Sequence, residues 1–178
     1  MENERIQELA EKAGFTNAAR IPADHLVFDP SLRKYCEDNL CGNYAKNLSC
    51  PPACGTPEEM KARTEKYQNA WIFQTVAEVD WHDSQALKEV RDSHNRRSRT
   101  LLAQLREEGI EGLSMLAGPC RACEVCGGEQ GKPCRYPKEQ VSCISAYCMS
   151  AEKMALEAGL PYWCGQNQVA FFSLLLTE

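Results

Sequence analysis

Histidine is scarce in this chain and basic charge is in deficit. Only three histidines occur, His25, His82 and His94, with no His-x3-His spacing and no nucleophile motif beside any of them. Packing or surface roles are therefore expected of them rather than catalysis. Twenty Lys and Arg against 25 Asp and Glu leave a formal net charge of −5, which argues against nucleic acid, whose phosphates demand a basic surface. No run approaches the roughly 18–20 apolar residues of a membrane span. The opening Met1-Glu-Asn-Glu-Arg-Ile-Gln-Glu-Leu9 lacks the basic start and apolar core of a secretory leader. A cytoplasmic location is expected, with neither membrane nor nucleic acid as partner.

Cysteine, by contrast, is abundant: eleven in 178 residues. In a reducing compartment, clustered thiols point to metal rather than to disulfides. The densest run is Cys120-Arg-Ala-Cys123-Glu-Val-Cys126-Gly-Gly-Glu-Gln-Gly-Lys-Pro-Cys134. A Cys-x2-Cys-x2-Cys loop can wrap three corners of a 4Fe–4S cube while a more distant cysteine closes the fourth. Here the last spacing is x7, so Cys134 serves the same cluster or a neighbour. Structural zinc is the rival, but it prefers separated cysteine pairs around one small tetrahedron. Arg121, Lys132 and Arg135 stand ready to offset thiolate charge, and Gly127, Gly128 and Gly131 let backbone N–H groups approach sulfur.

A second set reads Cys36-x4-Cys41-x8-Cys50-Pro51-Pro52-Ala53-Cys54, four cysteines in nineteen residues, with Arg33, Lys34 and Lys46 close by. Metal binding is the preferred reading here too. Cys143, Cys148 and Cys164 remain: either they complete or bridge clusters or form a redox pair, or they are small buried hydrophobes.

The elements around these loops follow from periodicity. Ile6, Leu9, Ala10 and Ala13 share one face of a helix over residues 2–13 that Gly14 stops. A short strand is expected at His25–Phe28. Thr56-Pro57-Glu58-Glu59 is a helix start with a capping Thr and Pro in the first turn, and that helix is expected to run to about Asn69. Ala70–Asp80 is β-branched and aromatic, hence a strand. A long helix from Asp83 or Ser84 to about Glu108 carries Leu87, Val90, Leu101 and Leu105 as its stripe. Leu113–Leu116 reads as a second strand, so a right-handed crossover with the two strands parallel is expected. Ser150 caps a helix ending at Gly159, and Val169–Leu176 fits a buried strand. The expected fold is α+β (or α/β): a single domain over residues 1–178, with a small mixed sheet, a long crossover helix and two cysteine-rich metal-binding loops, each following a strand.

Three further motifs read as ordinary. Arg96-Arg97-Ser98-Arg99 is taken as a solvated helix face. Gly127-Gly-Glu-Gln-Gly-Lys-Pro133 has the wrong spacing for a phosphate loop, and Pro133 replaces the required Ser/Thr. Asn47-Leu48-Ser49 is a glycosylation sequon in letters only.

The succession of Cys36 and Cys41, Tyr44-Ala-Lys-Asn47, Cys50-Pro-Pro52, the Pro-Glu-Glu helix start, an aromatic strand, then Gly118-Pro-Cys-x2-Cys-x2-Cys and Gly131-Lys-Pro-Cys-Arg-Tyr-Pro137 resembles the predicted metal-binding proteins of domain of unknown function 2284. The resemblance covers most of residues 30–160. It implies bacterial and archaeal proteins, often anaerobic, with iron–sulfur binding expected and no established activity. Its metal positions fall on Cys36, Cys41, Cys50, Cys120, Cys123, Cys126 and Cys134. The chain departs from that pattern over Val141–Ser150, where Cys143 and Cys148 stand in place of Ser and Gly. Cys54 and Cys164 also look like additions.

The expectation is an iron–sulfur protein with two 4Fe–4S-type clusters, held by Cys36, Cys41, Cys50, Cys54, Cys120, Cys123, Cys126 and Cys134, that moves electrons for a redox partner protein. Two alternatives stay open. One is a reductive enzyme with a larger or unusual centre built from the extra cysteines. The other is a zinc-stabilised interaction module, which would unfold on chelation. No substrate site is recognisable, so enzymatic activity stays open, and nothing in the sequence speaks to oligomeric state.

Overall fold

The computed structural model describes all 178 residues. It contains helices α1 (Glu2–Ala13), α2 (Arg33–Glu37), α3 (Pro57–Ala62), α4 (Ser84–Glu107) and α5 (Ala151–Glu157), and strands β1 (Asn17–Pro22), β2 (Asn69–Glu78), β3 (Leu113–Leu116), β4 (Ser142–Cys143) and β5 (Gln168–Thr177). The strands form one mixed sheet in the order β1-β2-β5-β3-β4. Every neighbouring pair is antiparallel except β3 with β4. The fold is α+β.

Alternation along the two long central strands builds a core on each face of the sheet. On β2, Trp71 and Phe73 point one way while Ala70 and Ile72 point the other; on β5, Leu175 faces opposite to Leu174 and Leu176. The first face takes α1 and α4 through Ile6, Leu9, Ala10, Leu101 and Leu105. The second takes Met60 of α3, Met154 of α5 and the Ile144–Met149 segment. Helix ends follow their sequence signals: Gly14 adopts a left-handed φ of 84° after α1, Asp83 caps α4, and Thr56 with Glu59 forms a complete capping box.

Three expectations need correction. The strand placed at His25–Phe28 lies earlier, at Asn17–Pro22; Ala23–His25 is a 3-10 turn, and Phe28 makes one isolated bridge to Met149. β1 escaped notice because it is an edge strand that buries only Ile21 fully. It follows that the first cysteine set, unlike the second, does not directly follow a strand. The helix from Thr56 stops at Ala62 rather than Asn69, because Asn69 and Ala70 are claimed by β2, paired with Pro22 and Ile21. Finally, β2 and β3 run parallel as expected, but β5 lies between them and is antiparallel to both.

His94 occupies the helix-covered face, fully buried between Phe15 and Phe171, with Nδ1 2.7 Å from Thr75 Oγ1. Burial, reinforced by Arg97, pushes its pKa down to about 4. An unfolded chain takes up this proton near the ordinary value of about 6.5, whereas the folded chain refuses it until about 4. The contribution is therefore fully present above about pH 6.5, and about 3 kcal/mol is lost as pH falls towards 4. Replacing His94 with Gln is expected to flatten that part of the stability curve, as read from denaturant midpoints across this pH range.

Candidate metal centre

All eleven cysteines are free thiols, and the structure sorts them into sets that the sequence order does not. Cys36 sits on α2, Cys41 is exposed on the following turn, and Cys50 is buried at the end of the Asn-rich loop. These three line one cavity of about 370 Å³ together with Cys143, which comes from the end of β4. Arg91, Gly118 and Arg121 line the same cavity. Burial pushes the Cys36 thiol up to about 11, with further upward pressure from Cys143; burial likewise pushes Cys50 up to about 12.

Cys54, expected in this set, lies elsewhere. It is buried in the second core with its Sγ 3.4 Å from Met60 Sδ, and it does not line the cavity. Cys148 is buried outside the cavity, while its backbone, at φ 56°, hands a carbonyl to Asp29 N–H. Cys164 lines a different, larger cavity of about 520 Å³ walled by Trp81, Tyr162, Trp163, Phe171 and Phe172. The two cavities share Arg91, Gly118, Cys143 and Ser145.

Cys120, Cys123, Cys126 and Cys134 are all partly buried on the loop that follows β3. Its shape is set from two sides. On α4, Arg91, Asn95 and Arg99 are spaced four apart and so share a face. Arg91 lies against Gly118, Asn95 exchanges two hydrogen bonds with the Ala117 backbone (2.6 and 3.0 Å), and Arg99 Nη2 donates to Cys120 Sγ at 3.6 Å. From the other side comes Asn47-Leu48-Ser49. Asn47 Nδ2 donates to the Cys120 carbonyl at 3.1 Å, and the Cys120 N–H donates to Ser49 Oγ at 3.0 Å. The Leu48 N–H donates to Cys126 Sγ at 3.4 Å. Gly128 permits this contact, since a Cβ there would collide with the Lys46 carbonyl oxygen.

The two cysteine loops are thus one docked unit. The apparent sequon is its clip, with Asn47 and Ser49 both buried. The basic run on α4 divides its work, because Arg96 alone is exposed. Arg97 stacks on Phe15 and donates to Thr75, and Arg99 reaches Cys120. Neither role was visible in the sequence; the four-residue spacing of Arg91, Asn95 and Arg99 was the available signal.

A buried arginine ties in the third segment. Arg33 donates to the Gly55 carbonyl and to the Ala146 carbonyl, both at 2.9 Å. It thereby fastens the end of the first loop to the turn that follows Cys143.

The donor set is thiolate without histidine, which suits soft or polynuclear metal centres. No three Cys, His, Asp or Glu side chains lie close enough to share a single metal ion. Cys36, Cys41, Cys50 and Cys143 line one cavity without converging on a point. A zinc tetrahedron with Zn–S near 2.3 Å would bring sulfurs to roughly 4 Å of one another.

The family model described as predicted metal-binding protein (DUF2284) matches residues 19–177. The chain belongs to that family. The match takes in both cysteine loops, β2 to β5 and all but the first two residues of β1. No curated protein and no solved structure matches the chain. No helix is long and apolar enough to cross a membrane.

Removing the clip should show directly. Asn47→Ala or Ser49→Ala leaves a partly buried backbone group of Cys120 without its partner, at a cost of about 0.5–1.5 kcal/mol each. The pair is expected to be non-additive because both act on one residue. Gly128→Ala is expected to destabilise by about 1–3 kcal/mol through overpacking. Denaturant midpoints, with the double variant completing the cycle for Asn47 and Ser49, measure these effects.

Proposed function

We propose that this family member carries two iron–sulfur centres of the 4Fe–4S type and passes electrons to or from a redox partner protein. The observation that supports this most is the docking of the two cysteine loops, which gathers thiols from distant parts of the chain into adjacent sets. Bound there, a cluster supplies reversible one-electron transfer.

The chain's own groups suit that task. Cys120, Cys123, Cys126 and Cys134 form the second set, and Cys36, Cys41 and Cys50 belong to the first. Arg99 and the Leu48 N–H point donors at Cys120 and Cys126 sulfur, and donors of this kind stabilise negative charge and tune potential. Arg91 and Arg121 border the first set and offset its charge. Because burial raises Cys36 and Cys50, their thiols hold their protons at neutral pH until a metal displaces them. A donor set of thiols without histidine favours an iron–sulfur centre over a zinc-stabilised module.

A second reading has one specific observation in its favour. The aromatic-walled cavity that shares Cys143 and Arg91 with the first set has the volume of a small-molecule site. On that reading the protein is itself a reductive enzyme. Perturbation of the reduced protein's paramagnetic spectrum by small apolar probes would support it; an unchanged spectrum, with unchanged Trp81 and Trp163 fluorescence, favours the electron carrier.

The main test is metal analysis of protein purified or reconstituted without oxygen. About eight iron and eight acid-labile sulfide per chain are expected for two 4Fe–4S clusters, with broad visible absorbance that bleaches on reduction. Stoichiometric zinc with neither iron nor sulfide would sink the proposal.

A further inference from the structure

We infer that Cys143 supplies the fourth thiolate of the first centre, with Cys36, Cys41 and Cys50, and that Cys54 is a packing thiol with no ligand role. This rests on the iron–sulfur reading above and adds to it a ligand assigned from position in space, outside the family's cysteine pattern.

Placement is the first ground. Cys143 arrives from β4, about ninety residues after Cys50, and its side chain lines the same cavity as the other three. It reaches that point because β4 pairs in parallel with β3, with Leu116 opposite Cys143. The chain leaving β3 enters the other cysteine loop at Cys120, so the same pairing positions both centres.

The second ground is the environment of the sulfur. After Cys143 the backbone turns tightly, with Ala146 N–H donating both to the Cys143 carbonyl at 3.1 Å and to its Sγ at 3.4 Å. A sulfur that accepts a backbone N–H is prepared to carry thiolate charge and metal, since such donors are the recurrent outer contacts of cluster ligands. Arg33 holds this turn in place through the Ala146 carbonyl.

Cys54 does not line that cavity. Its Sγ faces Met60 Sδ and the Gly55 carbonyl, acceptors that suit a neutral S–H donor, and it is 5% exposed within the apolar core. Spacing along the chain favoured Cys54 because it follows Cys50 by four residues. Those four residues form a turn in which the Cys54 N–H bonds to the Cys50 carbonyl, and the turn directs the two side chains into different surroundings.

Differential alkylation of the wild-type chain tests this without depending on a variant that folds. Iodoacetamide labelling read by mass spectrometry should modify Cys143 in the metal-free protein and spare it after anaerobic iron and sulfide loading, in step with Cys36, Cys41 and Cys50. Cys54 should label equally in both states. Among variants, Cys143→Ala is expected to lose about half of the iron, as Cys36→Ala does, while Cys54→Ala keeps it all. Equal labelling of Cys143 before and after loading, in a chain that carries two clusters, overturns the assignment alone. A chain that takes up no iron overturns the assignment and the iron–sulfur reading together.

Discussion

Two hydrogen bonds to the backbone of one residue, Cys120, hold the cysteine-bearing half of this protein in shape. Ser49 receives its N–H and Asn47 serves its carbonyl. Since Asn47 Oδ1 also accepts from the Ser49 N–H and hydroxyl, at 2.9 and 2.8 Å, the clip is internally braced before it meets Cys120. Buried polar groups of this kind cost little when satisfied and a great deal when half-satisfied. Loss of either bond therefore weakens the docking, and with it the relative placement of the two thiol sets.

The sheet gives this unit a rigid back wall and divides labour between its faces. One face, covered by α1 and α4, is an apolar core interrupted by a polar seam of His94, Ser98 and Ser173. The other face supports the Cys143–Met149 segment and α5. α4 belongs to both halves. Its Leu101 and Leu105 pack on the sheet, while Arg91, Asn95 and Arg99 grip the chain that leaves β3. The longest helix thereby sets the position of Cys120 from behind, as the clip does from in front.

Local signals made much of this legible. The capping box at Thr56, the left-handed glycine after α1 and the β-branched run of β2 are each written within a few residues, and the structure keeps them. Of the stripe expected on α4, Leu101 and Leu105 are buried while Leu87 and Val90 are only partly so, and His94 and Ser98 complete the buried face. What escaped depends on contacts between distant residues. β1 carries too few buried side chains to announce itself, and α3 is cut short by a strand that needs Asn69. The placement of Cys143 beside Cys36 rests on β3–β4 pairing, and no spacing rule encodes that. Asn47 and Ser49 looked like surface letters because their partner lies 71–73 residues away.

β5 is the last strand in chain order and the third of five in the sheet. β2 and β3 share no hydrogen bonds with each other and are joined only through it. During synthesis the two halves of the sheet therefore wait, unjoined, until residues 168–177 have been made. Both cysteine loops are made before that strand, one ahead of β2 and the other after β3. Such long-range closure is slow and leaves strand edges exposed meanwhile. The docked cysteine loops thus rest on two halves of a sheet that β5 alone joins.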